Sequence, residues 1–174
     1  PSYHENDQLS KFDDLYLSRD ISKKHFEEYK KNIRYKEFLS KKNLDASSIS
    51  TSLDFSDTSL NLLQNKIDYL SLDNVVLIDG DYRNTMKNNS LKDVDFMSAL
   101  IDCDLYESHK LSLPFVWDRM LLNGQMYLDE YYSLKFPGAR IATNEFFAGK
   151  HDKPQMYPQN TRDFERWYVI KKNN

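Results

Sequence analysis

Four glycines occur in 174 residues, Gly80, Gly124, Gly138 and Gly149, so the first 79 residues contain none. A glycine-bearing turn between a strand and a helix is what lets backbone approach a phosphate or a nucleotide closely. Neither a P-loop nor a dinucleotide fingerprint can therefore be built near the start of this fold. Whatever is bound there must be gripped by side chains, or by the C-terminal half.

The charge balance narrows the partners. The 24 Lys and Arg stand against 27 Asp and Glu, a formal net charge of -3, and no basic run forms a dense patch. Nucleic acid is not an expected partner. No apolar run approaches the roughly 20 residues of a membrane span, and Pro1 to Glu5 does not open a signal peptide. A single cysteine, Cys103, allows no internal disulfide. These features predict a soluble, cytoplasmic protein with no membrane partner.

The chain reads as one domain over residues 1–174. After a polar start with an apolar island at Phe12–Leu17, Phe26, Tyr29, Ile33 and then Phe38 or Leu39 recur at helical spacing. They predict a helix from Ser22 to about Leu44. A Ser/Asp/Thr-rich connection follows over 45–59, with a helix start signal at Ser56-Asp57. Leu60, Leu63, Ile67 and Leu70 mark the next helix. From residue 75 the pattern changes to short apolar runs, Val75–Ile78, Phe96–Ile101, Gln125–Leu128 and Trp167–Ile170, which read as strands. Helices are predicted over 107–122, stopped by Asn123-Gly124, and over 138–147. Strands alternating with helices predict an α/β fold with a mostly parallel sheet and helices on both faces.

Two consecutive strands end in paired acids, Asp102 with Asp104 and Asp129 with Glu130. Ligands of open α/β sheets bind beyond the carboxyl ends of strands. Carboxylates converging there repel one another unless protons or a cation neutralise them, and oxygen donors suit Mg²⁺, Ca²⁺ or Mn²⁺. If the two strands are neighbours, three or four of these carboxylates are expected to meet at one edge of the sheet. Cys103 between two acids is a poor nucleophile, since neighbouring carboxylates disfavour the thiolate. His109 is expected at the surface or behind the acids. Tyr127, Tyr131 and Tyr132 are candidates for a pocket wall or for core.

Four ordered motifs carry a resemblance. Leu100-Ile-Asp-Cys-Asp-Leu-Tyr-Glu-Ser108 is followed by Leu122-Asn-Gly-Gln-Met-Tyr-Leu-Asp-Glu-Tyr131, Phe136-Pro-Gly-Ala-Arg140 and Asn144-Glu-Phe-Phe147. Together they resemble the macrocin O-methyltransferase (TylF-like) family of S-adenosylmethionine-dependent enzymes. Val75 to Thr85 is similar to the family's preceding strand and turn, and Lys11-Phe-Asp-Asp-Leu15 echoes its F-D-S-F segment. The match is concentrated over 75–149. It implies a Rossmann-like methyltransferase fold lacking the first glycine-bearing βα unit, in a chain that is the C-terminal part of a longer enzyme or a truncated relative. It also implies a Mg²⁺-dependent methyl transfer from S-adenosylmethionine to a hydroxyl of a sugar or other small natural product. By that resemblance Asp102, Asp129 and Glu130 are metal ligands, Asp104 is the general base, and Asp13 and Asp81 contact the cofactor. Gln125 replaces the second glycine of the family's G-G pair, and His109 stands where a small hydroxyl residue is usual.

Two alternatives stand beside this. Without the glycine turn the chain is readable as a non-catalytic methyltransferase-like module for binding or for assembling a homo-oligomer. Asp102-Cys-Asp104 also resembles the D-x-D of haloacid-dehalogenase-like phosphatases, although the later Ser/Thr strand and Lys of that family do not fit into the 25 residues before Asp129.

Overall fold

In the computed structural model the described residues are 3–50, 59–87, 91, 93–159 and 164–173. The N-terminal part is helical. Lys11–Leu17 (α1) carries Phe12 and Leu15 on its buried side. Lys23–Ser40 (α2) begins where the Ser22 hydroxyl accepts the His25 N–H at 3.0 Å. That contact satisfies one of the free donors of the first turn. The two helices close a small core of Phe12, Leu15, Ile21 and Tyr29, in which the Phe12 and Tyr29 rings stack at 3.8 Å. Leu134 and Ile141 from the C-terminal half pack against it. Leu60–Tyr69 (α3) is capped by Ser59, whose hydroxyl accepts the Leu62 N–H. The start signal expected at Ser56-Asp57 lies outside the described residues. Only Ile67 of the α3 stripe is buried.

Four strands form one sheet: Phe96–Ile101 (β1), Met120–Leu128 (β2), Gln155–Met156 (β3) and Trp167–Ile170 (β4), in the order β1-β2-β4-β3. β1 and β2 are parallel, and β4 is antiparallel to both its neighbours, so β3 runs the same way as β1 and β2. Three of four strands thus share one direction, the mostly parallel sheet that the sequence predicts. Tyr106–Arg119 (α5) makes the crossover from β1 to β2, and Gly138–Phe147 (α6) packs beside it. Between these helices and the sheet lies the main core, with Ile101, Leu113, Trp117, Met126, Leu128, Phe147 and Val169 at its centre. Trp117 meets the Phe147 ring edge-on at 5.0 Å. On the other side of the sheet Leu100 and Tyr127 stay 63% and 38% exposed.

Three sequence expectations change. Val75–Ile78 forms no strand among the described residues, and Val76 is 82% exposed. An apolar run becomes a sheet strand only if a neighbour accepts its hydrogen bonds, and β1 instead ends the sheet. Asn123-Gly124 does not stop a helix: α5 ends at Arg119 and β2 starts at once. The pair forms an irregularity inside β2, with Asn123 at φ 67° and the register to β1 shifted between Phe96 and Ser98. A Cβ on Gly124 would lie 2.7 Å from Met120 Cγ and 3.0 Å from the Met97 carbonyl oxygen, so close approach requires the glycine. Finally, a short helix, Tyr82–Thr85 (α4), follows Gly80.

Two long-range contacts fix α5 against the sheet. Buried Asp7 accepts the Tyr106 N–H at 2.9 Å and the His4 N–H at 2.9 Å, capping the first turn of α5. At the other end the Lys171 ammonium donates to the carbonyls of Trp117 and Met120, both at 3.0 Å. A carboxylate at a helix N-terminus and an ammonium at its C-terminus both oppose the helix dipole favourably.

Candidate active site

The carboxyl ends of β1 and β2 lie side by side, with Ile101 opposite Leu128. The chain leaves β1 through Asp102 and Asp104 and leaves β2 through a 3₁₀ turn, Asp129–Tyr132. Carboxylate oxygens of Asp102, Asp104 and Glu130 come within 4.8 Å of one another. Asp129 stands beside this trio: burial, then the charges of Asp102 and Asp104, push its carboxyl up, against Arg166 and Lys135. Glu130 is also held above the usual carboxylate range, first by burial and then by Asp104 and Asp129, while a Ser133 hydrogen bond and Lys135 oppose the shift. The cluster therefore stores repulsion that a divalent cation would relieve, and its all-oxygen donor set fits Mg²⁺ or Mn²⁺.

The turn is held from below by α2. His25 donates from Nε2 to the Ser133 carbonyl at 2.7 Å and stacks on Tyr132, whose hydroxyl bonds Glu28. Tyr131 faces the core and donates from its hydroxyl to Asn144 Oδ1 at 2.6 Å. Tyr127 and Tyr132 line a cavity of about 570 Å³ with Glu130, Asp129, Tyr157 and Trp167, and Lys135 and Arg166 contribute its positive charge. Of the three candidate tyrosines, two are wall and one is core.

Asp81 lines a second cavity, of about 630 Å³, together with Gly80, Tyr82, Leu105 and Glu107. It caps α4 and is bound by Arg83 at 2.7 Å, which holds its carboxyl down at about 2. Asp13, on α1, pairs with Lys30 at 2.9 Å and lines neither cavity. Cys103 is packed, with its thiol pushed up to about 11 by burial first and by Asp104, Asp102 and Glu130 after it, a Ser112 hydrogen bond opposing. His109, expected at the surface or behind the acids, is buried at 1% exposure beneath the acids' loop. Its Nδ1 lies 3.3 Å from the Leu105 carbonyl and 3.5 Å from Cys103 Sγ.

Arg140 and Asp7 stand outside the residues expected at the site. The Arg140 guanidinium is buried, donates to the Tyr131 carbonyl at 3.0 Å and to the Asp20 carbonyl, and sits 3.9 Å over the Tyr131 ring. Its place in Phe136-Pro-Gly-Ala-Arg140 was the available signal. Asp7 carried none, because its partner is 99 residues away.

Two solved structures share this fold. One is CalS11, a calicheamicin methyltransferase, 22% identical over 63% of this chain and 46% of that chain, with a TM-score of 0.53. The other is apo CalS11, described as a TDP-rhamnose 3'-O-methyltransferase of calicheamicin biosynthesis, 22% identical over 63% of this chain and 50% of that chain, TM-score 0.52. The chain spans about half the length of these structures. At this identity the likeness establishes the methyltransferase fold. No protein-family profile and no curated protein matches the chain. Among the described residues no helix is long and apolar enough to cross a membrane.

Proposed function

We propose that the chain carries the metal and acceptor side of an S-adenosylmethionine-dependent O-methyltransferase acting on a hydroxyl of a sugar or similar small molecule. The observation that carries this is the trio Asp102, Asp104 and Glu130 at the carboxyl edge of β1 and β2, beside an aromatic-walled cavity, in a methyltransferase fold. Asp102 and Glu130 would hold a divalent cation, with Asp129 next to them. Bound there, such a cation lowers the pKa of an acceptor hydroxyl, and S-adenosylmethionine supplies the methyl group. Asp104 takes the hydroxyl proton as the base. Tyr127, Tyr132, Tyr157 and Trp167 present flat apolar faces to the acceptor and exclude water from it. The cavity at Gly80 and Asp81 is the place left for the cofactor's nucleoside end.

Asp104 lies within the trio, so a second assignment, as a third ligand, has a specific observation behind it. Mn²⁺ titration separates the two. The chain is expected to bind one Mn²⁺, with about tenfold or greater weakening in Asp102→Asn and Glu130→Gln and little change in Asp104→Asn. Equal weakening in Asp104→Asn makes it a ligand, and no binding by the parent chain removes the metal site. Without a glycine-bearing turn before Gly80, the same chain is expected to bind S-adenosylmethionine weakly or not at all. Micromolar affinity would show that the cofactor is held elsewhere.

A further inference from the structure

Arg140 is a buried cation at 7% exposure whose hydrogen bonds go to two backbone carbonyls and whose face meets two aromatic rings, while the carboxylates of Glu165 and Asp20 act on it only through space. Its Nε–H finds no partner among the described residues. Burying a guanidinium with no carboxylate among the described residues accepting its hydrogen bonds costs stability, so packing alone favours an apolar residue there. What the arginine supplies is a planar fork with several donors in fixed directions. One donor reaches the carbonyl of Tyr131, the residue after Glu130. Another reaches the carbonyl of Asp20, just beyond α1. The flat face rests on Tyr131 at 3.9 Å and is 5.0 Å from Trp167, which itself lines the acceptor cavity.

We infer that Arg140 is a positioning residue: by clamping the Tyr131 peptide and ring it sets the angle at which the 3₁₀ turn presents Glu130 to Asp102 and Asp104. The inference rests on the metal reading above. It does not make Arg140 a ligand, since a guanidinium has no lone pair to offer. The clamp also ties the turn to the segment after α1, so the acid cluster and the N-terminal helices are set by one group.

Arg140→Lys keeps the charge and loses the fork. It is expected to raise the Kd for Mn²⁺ about tenfold or more, the usual effect of removing an outer-shell partner of a ligand. Thr143→Val, one turn along α6, removes a buried hydrogen bond to the Ala139 carbonyl and is the control for lost stability alone. It is expected to lower the melting temperature and leave Mn²⁺ affinity unchanged. Unchanged affinity in Arg140→Lys, or equal losses in both variants, would overturn the inference. In the unsubstituted chain, Mg²⁺ should shift the arginine Nη resonances of Arg140 and slow their rotation. Signals that ignore Mg²⁺ while Mg²⁺ is bound also overturn it. A parent chain that binds neither ion shows instead that the metal reading has failed, and the positioning role falls with it.

Discussion

His109 shows what burial does to a titratable side chain. Nδ1–H points to the Leu105 carbonyl, and Nε2 is buried with no partner among the described residues. Burial lowers its pKa to about 4, and His25 is lowered to about 4 by burial as well. A histidine depressed in the fold binds protons more readily when unfolded, so its contribution is intact above the unfolded value near 6.5. It is lost as pH falls from about 6.5 to about 4. The full loss is on the order of 3 kcal/mol for one such histidine. The melting temperature of the parent chain should therefore fall more steeply between pH 7 and pH 4.5 than that of His109→Leu, whatever their difference at pH 7. Parallel pH profiles would show that folding does not lower the His109 pKa. The sequence could not reveal this burial, because the residue sits among Glu107, Ser108 and Lys110 and its neighbours come from tertiary packing. Asp129 and Glu130 pose a similar difficulty. Strand alternation stops at Leu128, and in the 3₁₀ turn consecutive side chains diverge by about 120°, so one of the two adjacent acids joins Asp102 and Asp104.

At the level of elements, the strands Phe96–Ile101 and Trp167–Ile170 and the helix Gly138–Phe147 were legible with their boundaries, since each is an unbroken periodic run. Asn123-Gly124 misled because the same residues that end helices also fill bulges. α6 illustrates what pattern alone leaves out. Gly138 opens it because no side chain fits: a Cβ there would lie 2.0 Å from Asp7 Oδ1 and 2.8 Å from Tyr106 Cβ. The N-terminal segment, the start of α5 and the start of α6 meet at this point. Gly138→Ala should cost about 1–3 kcal/mol, the range for overpacking a filled site. Denaturant unfolding would measure it, and Asp7→Ala in the same chain should relieve part of the clash. Additive losses in the double variant would mean that the two residues do not press on each other.

For the molecule as a whole, β1 and the short, exposed β3 are the edge strands of the sheet among the described residues. The parallel pairing of β1 with β2 was readable from alternating runs, but the antiparallel course of β4 and the edge position of β1 among the described residues were not, because both depend on which strand takes which flank. β1 reads Phe-Met-Ser-Ala-Leu-Ile, six uncharged residues without proline, and its Met97 is 75% exposed. Val75–Ile78, nearby in sequence, joins no strand among the described residues. Natural edges are usually blunted by a charge, a bulge or a covering segment. A stretch of this kind, whose outer row of N–H and C=O groups meets no strand among the described residues, templates pairing between copies. In a concentrated sample this turns a local feature of one strand into a property of the bottle. Light scattering should rise with protein concentration and storage time, while Met97→Lys, which puts a charge on the edge, should keep the solution clear and the melting temperature unchanged.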